Sequence, residues 1–283
     1  MATNRPRGHD MAGPGVYLTW MQAADYRTGI FGFKTYTSTS EGYRFLVYLY
    51  DAESGSLLSV LQADRLGQLR TGAATAVATN HMARNDAAIF GVLGSGYQAR
   101  TQLEGVCQVR EVSNAFVYSP TAGHREGYAR EMSERLAIDV TPVESPQQAV
   151  EGVDIVVTIT NSRVSVIDGH WLQRGVHIAA VGGADQYVTE LEGTTFERAG
   201  TLVVDDVAQA RIECGELILA TSEGLVLWEQ VRELWQVVGG VVPGRSRRDE
   251  ITLFKSLGIA LWDVAAAKAV YDKALSWGIG TRL

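Results

Sequence analysis

The sequence predicts an α/β protein with two parts: a doubly wound parallel sheet over residues 85–258, and a smaller α+β domain built from both chain ends, residues 1–84 with 259–283. Three observations predict it. Short β-branched runs alternate with helical patterns through the middle of the chain, as in βαβ units. The glycine-rich turn Gly94-Ser-Gly-Tyr-Gln-Ala99 joins an apolar run to an amphipathic one. Neither end of the chain shows that alternation, and neither is large enough to fold alone.

Within the middle part, residues 88–93 (Ala-Ile-Phe-Gly-Val-Leu) read as a buried strand, and Ala99, Leu103, Val106 and Cys107 recur at helical spacing behind the turn. Further strands are expected at 115–118, 138–143, 154–160, 176–181 and 202–205. In the N-terminal part, strands are expected at 29–37, 44–50 and 56–62, the last two joined by Asp51-Ala-Glu-Ser-Gly55 as in a hairpin. An alanine-rich helix follows at 71–83. At the other end Ile259, Ala266, Val270, Ala274 and Trp277 mark an amphipathic helix, expected to return to the N-terminal strands.

Apolar content of 46% and charged content of 20% over 283 residues are those of a globular soluble chain. The net charge of −7, with no polybasic block, argues against a nucleic-acid partner. No apolar run reaches the length of a membrane span and the N-terminus lacks a signal-peptide core, so no membrane partner is expected. Cys107 and Cys214 lie far apart, as reduced thiols of a cytoplasmic protein do. The histidines at 9, 81, 124, 170 and 177 form no metal-ligand spacing, so no metal is expected, and no nucleophile elbow or P-loop occurs. Arg245, Arg247 and Arg248 beside Pro243 and Gly244 read as a solvated loop.

The turn after the first strand of the middle part has the context of a dinucleotide (Rossmann) fingerprint. Gly94 permits the bend, Gly96 has no Cβ to keep a pyrophosphate from the backbone, and Ala99 lets helix and strand pack closely. Ser95, Tyr97 and Gln98 complete a turn whose backbone N–H groups open the helix toward phosphates. NAD-specific folds place a carboxylate at the end of the next strand to hold the ribose 2′-hydroxyl. Here that end reads Tyr118-Ser119-Pro120-Thr121, with Arg125 following. Ser119, Thr121 and Arg125 fit a 2′-phosphate, so NADP(H) is the preferred cofactor and NAD(H) a possible one. The alternative makes Arg125 an ordinary solvated helix residue. Thr158, Thr160 and Asn161 end the fourth strand, where the nicotinamide ribose should lie, unless they serve only local turns.

Four motifs in order, Gln68-Leu-Arg-Thr-Gly-Ala-Ala74, the Gly91–Ala99 turn, Val181-Gly-Gly183 and Ile251-Thr-Leu-Phe-Lys-Ser-Leu-Gly258, together resemble the ornithine cyclodeaminase/mu-crystallin family. That family also includes certain alanine dehydrogenases and ketimine reductases, and the resemblance runs from about Arg5 to the C-terminus. It implies that the split domain binds substrate and forms a homodimer, with the active site between it and the Rossmann domain. Carried over residue by residue, Arg70 clamps the carboxylate of a small amino or imino acid, and Arg7 is a second carboxylate-binding arginine. On the residues alone, Arg70 could instead pair with Asp64 or Glu53. Lys34 faces substrate, where it polarises an imine or shuttles a proton. Ser256 and Gly258 lie near the nicotinamide.

Three departures qualify the resemblance. Members carry a helical segment ahead of the Pro6-Arg7 position that supports the dimer, so this chain is either natively short or its start lies upstream. At the position of the cyclodeaminases' aspartate stands Ala184; Asp185, one residue later, is either a relocated catalytic acid or a polar loop residue. Thr19 replaces a glutamate found in some cyclodeaminases. The last two count against ornithine. The expected activity is therefore NAD(P)-dependent hydride transfer at the Cα–N bond of a small amino or imino acid, as in ketimine or pyrroline-2-carboxylate reductases. Conversion of L-ornithine to L-proline and ammonia with bound NAD is the alternative, and a non-catalytic NADPH or small-ligand binder is the third reading.

Overall fold

The computed structural model describes residues 2–183, 187 and 189–281. It forms two compact units, Met1–Arg70 with Gly258–Leu283 and Thr71–Leu257. No described helix is long and apolar enough to cross a membrane.

The first unit is built on an antiparallel sheet. Its strands are β1 (Ala2–Asn4), β2 (Gly8–Gly13), β3 (Val16–Asp25), β4 (Ile30–Thr39), β5 (Gly42–Asp51) and β6 (Leu57–Gln62), in the order β1-β3-β4-β5-β6 with β2 also on β3. Because side chains alternate across a strand, Met21 and Ala23 of β3 share a face with Ile30 of β4 and Leu49 of β5. That face packs on Ala260 and Val264 of the C-terminal helix Ala260–Trp277, as the apolar spacing of that helix predicts. Burying aliphatic side chains of this size contributes about 1.5–3 kcal/mol each. The predicted strands at 29–37, 44–50 and 56–62 correspond to β4, β5 and β6.

The three strands before them were not predicted. In β3 the inward positions hold Thr19, Met21 and Ala23, whereas the outward ones hold Trp20 and Gln22. The largest apolar residue faces out, so the hydrophobic alternation that marks a strand is inverted. Helix α1 (Asp64–Met82) begins seven residues before the predicted 71, and Gly67, a poor helix former within its first two turns, obscures that start in the sequence. The compact units divide inside α1 at Arg70/Thr71, where 84/85 was expected. Beyond that point α1 belongs to the second unit: a Cβ on Gly72 would stand 2.2 Å from the carbonyl oxygen of Thr101, an approach only glycine allows.

The second unit holds the predicted doubly wound sheet. Its strands are β7 (Ile89–Leu93), β8 (Asn114–Tyr118), β9 (Asp139–Pro142), β10 (Ile155–Thr158), β11 (His177–Ala180), β12 (Thr201–Val204), β13 (Arg232–Glu233) and β14 (Thr252–Lys255). All pair in parallel, in the order β13-β12-β14-β11-β10-β7-β8-β9. The chain winds from β7 outward through β8 and β9, then returns to the other side of β7 with β10. That reversal makes β7/β10 the switch point, where the carboxyl ends of the strands leave a crevice for ligands. Helix α2 (Ala99–Cys107) follows β7 and helix α3 (Ala122–Leu136) follows β8. The core runs through Leu93, Val156, Ile178, Val204 and Leu253, one or more from each central strand. Strands β13 and β14 were not predicted. β14 is four residues long, ends on a lysine, and yet lies between β11 and β12, buried on both faces.

Candidate functional site

The sequence-predicted residues gather in two constellations, one in each unit. In the second unit the glycine turn leaves β7 at the switch point. Gly94 has φ +112°, and a Cβ there would lie 2.4 Å from the Ile159 carbonyl oxygen, so glycine alone fits. Gly96 is the opposite case: a Cβ on it would meet nothing within 4 Å. Its backbone thus faces the open approach that a pyrophosphate requires. Gln98 caps α2 without a side-chain hydrogen bond, which leaves that end of the helix to an anion. Ala99 is fully buried and its carbonyl accepts from Tyr128 Oη at 3.1 Å, while Tyr97 is exposed. These features fit a dinucleotide.

At the end of β8, the Ser95 hydroxyl donates to Ser119 Oγ at 2.8 Å, and the Ser119 hydroxyl lies 3.4 Å from the carbonyl oxygen of Thr121, the exposed N-cap of α3. Arg125 is not the solvated helix residue that one reading expected. It is buried, its Nη1 donating to the Ser119 carbonyl at 3.1 Å and its Nη2 to Glu144 Oε2 at 2.5 Å.

Two other candidates are buried. Thr158 has no exposed surface, and its hydroxyl donates to Glu190 Oε2 at 2.7 Å. Ser256 is buried as well, its hydroxyl 3.3 Å from Asp205 Oδ2. Thr160 reaches the same glutamate through its N–H, 2.6 Å from Glu190 Oε1, and Asn161 is exposed. Glu190 belongs to an ionic network that sequence reasoning missed. Lys255 of β14 donates to the Gly182 carbonyl at 2.7 Å and pairs with Glu216 Oε1 at 2.8 Å, and Glu216 Oε2 accepts from the N–H groups of Glu190 and Leu191. Burial works against the charge on Lys255, but Glu216 and Glu190 outweigh it and hold the ammonium above its ordinary pKa. Burial raises the Glu190 carboxyl, with Lys255 and the two threonines opposing. The network ties the carboxyl ends of β10, β11 and β14 together. Ala184 and Asp185 lie outside the described residues.

In the first unit Lys34 and Arg70 meet on one acid, Asp263, and Arg7 lies close enough to act on Lys34. Lys34, on the inward face of β4, is 5% exposed, and its Nζ lies 3.2 Å from Asp263 Oδ1. Arg70 places Nε 3.0 Å from the same oxygen. It therefore pairs with neither Asp64 nor Glu53, the two partners considered from sequence. Arg7 donates from Nη2 to the Gly258 carbonyl at 3.0 Å. Gly258, expected beside the nicotinamide, belongs to this unit. Its φ is +74°, and a Cβ on it would stand 2.8 Å from Arg70 Nη1, so glycine here lets the chain cross the guanidinium. The rings of Phe45 and Tyr36 lie 5.0 and 5.8 Å from Lys34 Nζ. Thr19, opposite Tyr36 on the same face, is buried against His9 Nδ1 at 3.0 Å.

This setting tunes Lys34. Burial pushes its pKa from 10.5 down to about 8; Arg70 and Arg7 press the same way, and Asp263 pulls back. Asp263, which the sequence reading overlooked, is fully buried with Oδ2 unpartnered among the described residues. Among the described residues Lys34 and Arg70 share the one carboxylate of Asp263, with the Arg7 guanidinium nearby, and a lysine whose pKa lies near 8 can donate a proton under ordinary conditions.

Comparison with known proteins follows the same lines. Residues 9–278 match the ornithine cyclodeaminase/mu-crystallin family. A Δ1-pyrroline-2-carboxylate reductase from Bacillus cereus is 34% identical over 239 residues, which is 84% of this chain and 73% of that protein. Among solved structures, the Δ1-pyrroline-2-carboxylate reductase of Thermococcus litoralis in complex with NADH and L-proline superposes with TM-score 0.95 and 34% identity, covering 100% of this chain and 90% of that one. An archaeal alanine dehydrogenase dimer with bound NAD gives TM-score 0.92 and 31% identity over 100% of this chain and 88% of the other.

Proposed function

The chain belongs to the ornithine cyclodeaminase/mu-crystallin family, and from that premise we propose that it is an NAD(P)-dependent imino-acid reductase. Its substrate is a small cyclic imino acid of the Δ1-pyrroline-2-carboxylate type. The observation that carries the reading is the Arg7–Lys34–Arg70 cluster with Asp263 as its acid. Such a cluster attracts an α-carboxylate and offers a proton close by. Reduction of the C=N bond forms one Cα–H and one N–H bond. A bound reduced nicotinamide supplies the hydride and is oxidised. Arg70 grips the carboxylate as a planar fork, with Arg7 as second donor, and so fixes Cα. Lys34 gives its proton to the imine nitrogen. Phe45 and Tyr36 exclude water around that ammonium, which strengthens both interactions. The reductases and the dehydrogenase named above support this direction of chemistry.

For the cofactor, the hydroxyls of Ser95 and Ser119 and the lack of a carboxylate at the end of β8 support a preference for NADP(H), with NAD(H) also used. A homodimer is the assembly we propose. Its support is the archaeal dimer and the aromatic ladder on the outward face of β4 and β5, where Phe31 stacks on Tyr50 and Phe33 on Tyr48. Sedimentation equilibrium should give twice the 30.7 kDa chain mass; a monomer at micromolar concentration contradicts it.

The activity is tested by adding Δ1-pyrroline-2-carboxylate and reduced cofactor to the purified protein and following nicotinamide absorbance, with ammonia release from L-ornithine measured in parallel. The expected result is oxidation of the cofactor and no ammonia. Ammonia release from ornithine without net change in cofactor would replace reduction by cyclodeamination.

A further inference from the structure

Arginine is seldom buried without a charged or polar partner for each end of its fork. Arg125 is buried in the first turn of α3, and among the described residues its Nε has no partner. Its Nη2 is neutralised by a residue of opposite exposure: the side chain of Glu144 is 81% exposed, that of Arg125 7%. Glu144 stands just after β9, its N–H donating to Gln148 Oε1 at 2.8 Å, so its backbone is fixed. The contacts run in one line, from Ser95 after β7, through Ser119 after β8, to Arg125 and Glu144 after β9. All of them lie at the carboxyl edge of the sheet. In a doubly wound fold the end of the second strand is where the adenosine ribose is read.

We infer that Glu144 is a cofactor selector: its carboxylate occupies Arg125 and places negative charge beside the ribose 2′ position, holding down affinity for a 2′-phosphate. The inference rests on the dinucleotide-binding reading above and refines it. The hydroxyls at Ser95 and Ser119 favour NADP(H), and Glu144 limits how far. The Glu144 carboxylate is engaged by Arg125 and not offered to a 2′-hydroxyl, so its removal changes NAD(H) affinity much less than NADP(H) affinity. A 2′-phosphate must either displace the carboxylate from Nη2 or sit beside it, and both cost binding energy.

The test is calorimetric titration of NADPH and NADH, without substrate, into wild-type protein and E144Q. Glu144 is exposed, so E144Q should keep the wild-type Tm. Removing one nearby like charge and freeing Nη2 should tighten NADPH about tenfold and move NADH less than about twofold. In the double variant E144Q/R125Q, whose folding is checked by thermal denaturation, the NADPH gain should vanish. An unchanged NADPH-to-NADH ratio in E144Q, weaker NADPH binding in it, or a gain that survives in the folded double variant each overturns the selector. Failure of the dinucleotide reading looks different, since the wild-type protein would then bind neither cofactor.

Discussion

Lys34→Met is expected to lower kcat for imino-acid reduction by about 10²–10⁴-fold, the range over which a positioned acid acts. Methionine keeps the length and apolar stem of lysine, and Asp263 retains Arg70 at 3.0 Å, so the fold should persist with little change in Tm. The pH profile separates chemistry from structure. Only the ammonium form can donate a proton, and its pKa in the folded protein is pushed to about 8. Wild-type kcat should therefore be full below that value and fall as pH rises through it. In Lys34→Met this limb is absent. Asp263→Asn removes the attraction that opposes burial and the two arginines, so the limb moves to lower pH. A profile of wild-type shape in Lys34→Met would exclude Lys34 as the acid.

Arg70→Met should cost about 3 kcal/mol in transition-state binding, roughly 10²-fold in kcat/KM, because a desolvated carboxylate loses its bidentate partner. The loss is specific to the carboxylate. Against Δ1-pyrroline, which lacks that group, wild type and variant should be equally poor. Loss of kcat/KM on both compounds in equal proportion would mean that Arg70 serves the fold instead. It has a structural contact to lose, since the chain at Gly258 crosses its guanidinium, and Tm must be measured alongside.

The sequence announced the second unit more clearly than the first for a physical reason. Parallel strands buried on both faces read as continuous apolar runs, and the glycines at 94 and 96 have distinct steric duties that leave a motif. The first unit's sheet has one face toward the C-terminal helix and one outward. In β3 the outward face carries Trp20, so burial and hydropathy disagree. The cations were legible because Arg70 and Lys34 sit in recognisable motifs. Their acid was not, since Asp263 lies 193 residues from Arg70 and no spacing rule spans that distance. A signal was present: Asp263 interrupts the buried stripe of Ala260, Val264 and Ala267, and a lone carboxylate on an apolar helix face requires a partner. Glu144 and Glu190 likewise come from loops, and only folding brings them to Arg125 and to Thr158. Thr158 and Ser256 show what motif position leaves out. Thr158 was read at a strand end and Ser256 through the family segment, and neither reading shows that their side chains turn into the protein, toward Glu190 and Asp205.

The most direct test follows the hydride itself. Δ1-pyrroline-2-carboxylate is reduced by the purified protein using cofactor carrying deuterium at both C4 positions of the reduced nicotinamide, and the product is examined by NMR and mass spectrometry. Proline carrying deuterium at Cα is the predicted result. Proline without that label, or ammonia released from ornithine while imino acid and cofactor stay unchanged, would contradict imino-acid reduction as the activity of this chain.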